Sequence, residues 1–157
     1  MIVREGGYVN HTVPGDRGGQ TYAGIARNAN PSWDGWKHLD SGQEPPADAV
    51  RQFYRQNYWD RVQGDDLNPV AAEQIFDFAV NAGVTTAIRL AQICVKTTPD
   101  GRIGAKTISA INEVEPEVFR AVYSLAKVAR YAEICNRDRS QSKFLLGWIN
   151  RVLGMLK

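Results

Sequence analysis

Cysteine, histidine and methionine each occur only twice among 157 residues. Cys94 and Cys135 both fall in apolar helical patterns, where a small buried hydrophobe is the expected role. A count of two implies no disulfide framework. No CxxC pair or Cys/His spacing suits a structural zinc ion. His11 and His38, even with Asp16 or Asp40 nearby in the chain, show no HExxH-like spacing, so neither a metal nor another cofactor is expected. A serine nucleophile elbow and a Walker-type glycine loop are both missing. No apolar run is long enough to span a bilayer, and stable membrane insertion is not expected. No basic segment leading into an apolar stretch marks a signal peptide. Synthesis in the cytoplasm is therefore expected, with any work outside reached by another exit route. Nor does one sign of charge dominate. With 19 basic and 17 acidic residues the net charge is +2, too balanced to argue for nucleic acid.

What is present is an ordinary folding composition, 43% hydrophobic, sufficient for one domain or two small lobes. Residues 6–46 hold eight of the fourteen glycines and four of the seven prolines. Such density reads as turns, a short hairpin and an irregular loop. Loops of that length are uncommon and usually functional. From Ala47 onward the pattern turns helical, with Val50, Phe53, Tyr54 and Tyr58 at spacings of three and four. Pro69 and Pro116 can each open a helix at its first turn. Gly83 stops the helix that Pro69 begins. Phe119, Val122, Tyr123, Ala126, Ala129 and Ala132 are expected inside a long helix, and "SKFLLGWINRVLGML" forms the last one. The fold class is mainly α, with a small β-hairpin and loop region near the N-terminus.

Three polar residues of the early segment stand in a suggestive order: Glu5, Asp16 and Thr21. Glu5 directly precedes Gly6-Gly7, the kind of step that ends a helix. A carboxylate at a helix C-terminus meets the negative end of the dipole, which favours its neutral form and raises its pKa. That suits a general acid better than a structural ion. Asp16 sits in "PGDRGGQT". Two carboxylates and a hydroxyl are the minimal kit for glycoside hydrolysis: one acid protonates the leaving oxygen and the other activates water or attacks the sugar. An ordinary Asx turn explains Asp16 equally simply. Trp33 and Trp36, in "NPSWDGWKHLD", form either a platform for flat sugar faces or the plug of a small satellite core. Tyr8 and Tyr22 flank the acids and are candidates to line a groove. Asp77 and Asn81, in "FDFAVNAG", share a helix face. They read as a buried hydrogen-bonded pair or as support behind a cleft.

Taken in order, "REGGYVN", "DRGGQTYAGIA", "FDFAVNAG", "DGRIGAKTISAI" and "FLLGWINRV" resemble glycoside hydrolase family 108 across nearly the whole chain. The resemblance implies a bacterial or phage N-acetylmuramidase on a lysozyme-like helical fold. Such an enzyme cleaves the β-1,4 bond between N-acetylmuramic acid and N-acetylglucosamine. The family's catalytic glutamate lies in its Glu-Gly-Gly-Tyr stretch, which maps onto Glu5. The order Glu, Asp, Thr also resembles the triad of phage-type lysozymes, which implies roles for Asp16 and Thr21. "DGRIGAKT" marks the helical segment that the family couples to its catalytic part, usually described as peptidoglycan-binding. Residues 1–83 are thus expected to form a catalytic lobe and 84–157 a helical wall-binding lobe, packed as one compact body.

The resemblance further implies bacterial peptidoglycan as the partner, a monomer, and an endolysin-like role at the cell wall after holin-type or other release. The alternatives are a wall-binding module that has lost catalysis, with Trp33 and Trp36 as its sugar platform, and an accessory protein of a secretion or lysis apparatus.

Overall fold

The computed structural model describes residues 7–12 and 19–156. Glu5 and Asp16, and the short helix expected to end at Glu5, lie outside them. Contacts divide the chain into two compact units, Met1–Asn57 and Tyr58–Lys157.

The first unit is built on a three-stranded antiparallel sheet ordered β1-β2-β3, with strands Asn10–Thr12, Gln20–Tyr22 and Ile25–Ala26. The hairpin expected from the glycines thus gains a third strand. Ala23 and Gly24 join β2 to β3 with φ of 49° and 81°. Left-handed values at both central residues give the twist that a two-residue hairpin needs. The Tyr54 hydroxyl donates to the Ala23 carbonyl at 2.8 Å, tying this turn to α2 (Ala47–Tyr54). The stretch expected to be irregular also contains a helix, α1, over Gly35–Asp40. Its apolar anchor is Trp36, which is buried. A six-residue helix has too few positions to show a period, so packing rather than pattern stabilises it.

The second unit is helical. Its α-helices are α3 (Pro69–Ala82), α4 (Val84–Cys94), α5 (Ala105–Glu113), α6 (Pro116–Arg137) and α7 (Ser142–Gly154). Pro69 occupies the first turn of α3, and the Asn68 side chain accepts from the Ala71 N–H at 2.9 Å. Glu115 caps α6 in the same way, accepting from the Val118 N–H at 2.9 Å. Ile75, Phe78, Ala87, Ile88, Ile111, Phe119 and Tyr123 form the centre of one apolar core. The apolar stripe of α3 is buried against α4 and α6.

On α6 the buried side is Phe119, Tyr123, Lys127, Tyr131 and Cys135. Val122, Ala129 and Ala132, placed inside by periodicity, are exposed. A lysine replaces them in the interior. Its Nζ donates to Gln74 Oε1 at 2.9 Å, and Gln74 Nε2 donates to the Met155 carbonyl at 3.0 Å.

Asp77 is buried and faces Arg151 of α7, whose Nε and second guanidinium nitrogen donate to its carboxylate at 3.3 and 3.1 Å. The expected buried pair of Asp77 with Asn81 is not formed: the buried carboxylate takes its partner from a distant helix instead. Asn81 is exposed and hydrogen-bonds Tyr131. Both cysteines are free. Burial pushes the Cys94 thiol up to about 11, so it is protonated and a poor nucleophile at neutral pH.

Buried Gln92 secures the "DGR" turn. Its Nε2 donates to Asp100 Oδ1 at 2.8 Å and to the Arg102 carbonyl at 3.0 Å, while its Oε1 accepts from the Gly101 N–H at 2.9 Å. No helix among the described residues is long and apolar enough to cross a membrane.

Replacing Asp77 by Ala should lower the unfolding free energy by about 2–3 kcal/mol in a urea titration. That lies below the full cost of breaking a buried pair because the Arg151 side chain remains 24% exposed. A loss under about 0.5 kcal/mol, the usual effect of a surface substitution, would show that the pair holds nothing in place.

Candidate active site

Thr21 lies at the middle of β2, directly opposite His11 on β1 and Ala26 on β3. Residues paired this way point to the same side of a sheet. Thr21, His11 and Ala26 therefore share one face, and the alternating Gln20 and Tyr22 share the other. The Thr21 hydroxyl makes one long contact, donating to the Gly19 carbonyl at 3.5 Å. Gly19 itself has a φ of 68°, and a Cβ there would come within 2.9 Å of the Asn28 side chain. Only glycine lets the chain turn so closely before β2.

On the Tyr22 side, Arg27 clamps the sheet to α1. Its guanidinium donates to Gln20 Oε1 at 2.9 Å and to both oxygens of Asp40 at 2.7 Å. It also lies 5.2 Å from the centre of the Trp36 ring, a cation–π distance. The hydrogen bond from Arg27, more than its charge, lowers the Asp40 carboxyl pKa. The ionic part of the clamp is thus fully present above the usual carboxylate range. It is lost as pH falls through the depressed value. Nothing in the spacing of Arg27 and Asp40 announces this pair.

The aromatic candidates divide. Tyr22 and Trp36 are core residues, at 2% and 3% exposure. Trp36 donates its indole N–H to the Asn30 carbonyl at 2.8 Å and meets Trp33 edge-on at 5.0 Å. With Arg27 over its ring as well, it fills the satellite-core role and offers no open platform. Trp33 is half-buried. It stacks on Tyr22 at 6.2 Å and meets Phe53 at 6.0 Å. Its N–H points to the Ala49 carbonyl at 3.4 Å.

Tyr8 is exposed. It lines a pocket of about 220 Å³ with Tyr22, Asn10, Leu39, Gln43 and Glu44. Burial raises the Tyr22 hydroxyl pKa, with Glu44 and Tyr8 adding smaller contributions. Tyr8 and Tyr22 are thus brought together, and Trp33 joins Tyr22 from behind. Thr21 stands apart from all of them on the other sheet face. His38 is on α1, and no group of three His, Cys, Asp or Glu side chains that could hold a metal occurs among the described residues.

Comparison with known proteins places this geometry in context. The family model described as Glycosyl hydrolase 108 matches residues 1–83. A second model, described as Predicted Peptidoglycan domain, matches residues 85–153. Among solved structures, SagA of Brucella abortus is similar, with 28% identity and a TM-score of 0.63 over 99% of this chain and 91% of that one. No curated protein is significantly similar.

Gly35→Ala tests the packing that fixes Trp33. A Cβ at Gly35 would stand 2.3 Å from the Trp33 ring, so the indole has to move. We expect a cost of about 1–3 kcal/mol and an altered near-ultraviolet circular dichroism band. An unchanged spectrum and melting temperature would show that the ring is not held there.

Proposed function

Since the chain belongs to glycosyl hydrolase family 108, we propose that it is an N-acetylmuramidase of endolysin type. It is a peptidoglycan hydrolase at the coarser level. The bond assigned to it is the β-1,4 link between N-acetylmuramic acid and N-acetylglucosamine. The observation that carries this reading is the pairing, in one chain, of a glycosyl hydrolase match over 1–83 with a peptidoglycan match over 85–153. We accordingly divide the chain near residue 83 into a catalytic portion and a wall-binding portion, acting as a monomer.

Glu5 is the general acid in this mechanism. It protonates the glycosidic oxygen as the bond to the anomeric carbon breaks and positive charge builds on the sugar ring. Asp16 activates a water on the opposite face of the ring, and Thr21 helps to hold that water. Water attack from that face inverts the anomeric configuration. The pairing of Thr21 with His11 on one sheet face, where Thr21 stays partly exposed, supports this role for Thr21. Tyr8 and Trp33, the two aromatic candidates with accessible surface, contact the glycan. Tyr22 and Trp36 hold them from beneath.

With purified peptidoglycan as substrate, the wild type should release fragments ending in N-acetylmuramic acid at the new reducing end, detected by mass spectrometry. Glu5→Gln should cut the rate by at least about 100-fold while the circular dichroism spectrum stays unchanged, the scale expected for losing a general acid. Turnover of that variant at the wild-type rate would refute the assignment. Fragments ending in N-acetylglucosamine would refute the bond.

A further inference from the structure

A second cavity, of about 450 Å³, lies in the first unit. It is lined by Asn30, Ser32, Trp33, Asp34, Gln52 and Gln56, with Phe53 and Asn57 completing it. Its size is that of a small-ligand site. Among the described residues, Thr21 and His11 are not part of its walls.

The chemistry of its lining is narrow. Four carboxamides and one hydroxyl surround an aromatic floor. Asp34 is the one charged residue among the described lining, and Lys37 already pairs with it at 2.7 Å. A phosphate or another strongly charged ligand finds no counter-ion here. A neutral ligand rich in hydroxyl and amide groups finds many partners.

Two of the carboxamides are free to bind. Among the described residues, the side chains of Gln52 and Gln56 engage no protein partner. Asn30 and Asn57 donate their side-chain N–H groups to the Ala26 and Phe53 carbonyls, both near 3 Å, which leaves their oxygens as acceptors. Helical geometry gathers these groups. Gln52 and Gln56 are four residues apart, as are Phe53 and Asn57, so each pair shares a face. The backbone there passes from α2 into a π-helical turn at Arg55–Trp59, a rare geometry frequent at functional sites.

We infer that this groove is a saccharide subsite that takes an N-acetylhexosamine unit. Between them the carboxamides offer N–H donors for an acetamido carbonyl and oxygens that accept from an acetamido N–H. Half-buried Trp33 adds an aromatic ring to the lining, a group that suits the polarised C–H groups of a pyranose. The choice of sugar rests on the peptidoglycan reading above. The subsite holds the glycan strand and does no chemistry.

The test uses the full chain, ¹⁵N-labelled, titrated with tri-N-acetylchitotriose and followed through the Trp33 indole N–H and the Gln52 and Gln56 side-chain amides. Those signals should shift saturably. A Gln52→Leu/Gln56→Leu double variant with unchanged circular dichroism should bind about tenfold more weakly or worse, the scale of one or two lost hydrogen bonds. Cellotriose, which lacks the acetamido groups, should bind at least as poorly to the wild type.

Equal affinity of the double variant, or shifts confined to other residues, would overturn the subsite. Equal affinity for cellotriose would overturn its acetamido selectivity. Glu5→Gln separates the two proposals, because it should keep this binding intact. Cleavage of peptidoglycan without Trp33 shifts would remove the subsite and leave the hydrolase standing. Trp33 shifts without cleavage by the wild type would do the reverse.

Discussion

Lys127 carries its ammonium group into the interior of the second unit at 1% exposure. Few groups cost more to remove from water. The surrounding helices are arranged to meet that cost. α3 supplies the Gln74 oxygen, and Tyr123 and Phe78 present their rings at 5.2 and 5.9 Å. Gln74 is in turn held by a carbonyl just after α7. A polar line thus crosses three helices inside an otherwise apolar core. Apolar packing alone tolerates many small slips, whereas an ammonium ion away from its partners does not. The register of α3 against α6 and of α7 against α3 is set by this line, with the Asp77–Arg151 pair marking a second point on the same surfaces.

The first unit solves a different problem. Its described residues form a small sheet and two short helices. Aromatic rings and one arginine do the joining. Trp36 is pinned by a carbonyl and a guanidinium, Trp33 rests on Trp36, Tyr22 and Phe53, and Tyr54 reaches back to the β2–β3 turn. Aromatic side chains suit such a small core because each buries a large area while losing few rotamers.

Much of the fold is legible in the residues. Pro69, Gly83 and Pro116 act through backbone geometry, which is local, so the helices they bound are found where expected. The sheet is announced by glycines and a hairpin. What escapes the pattern is whatever depends on distant partners. Lys127 reads as part of a solvated face because its partner Gln74 is 53 residues away. α1 is too short to display a period. Gln52 and Gln56 look like the wet side of an amphipathic helix until Trp33 and Asn30 are brought beside them. Of the proposed site residues, Glu5 is suggested by a short motif and Thr21 by its place after the glycines. The different fates of Trp33 and Trp36, three positions apart, follow from distant partners, among them Arg27 over the Trp36 ring and the Asn30 carbonyl that takes its N–H.

The bond from Gln74 to the Met155 carbonyl has a consequence for how the protein breathes. That carbonyl lies at the C-terminal end of α7, and helix ends are where backbone bonds open most readily. Each opening there removes the group that steadies Gln74, and water gains a path toward a buried cation. The last helical turn and the deepest lysine should therefore exchange their protons with solvent as one event. In this chain a helix end and the deepest part of the core are coupled through a single glutamine.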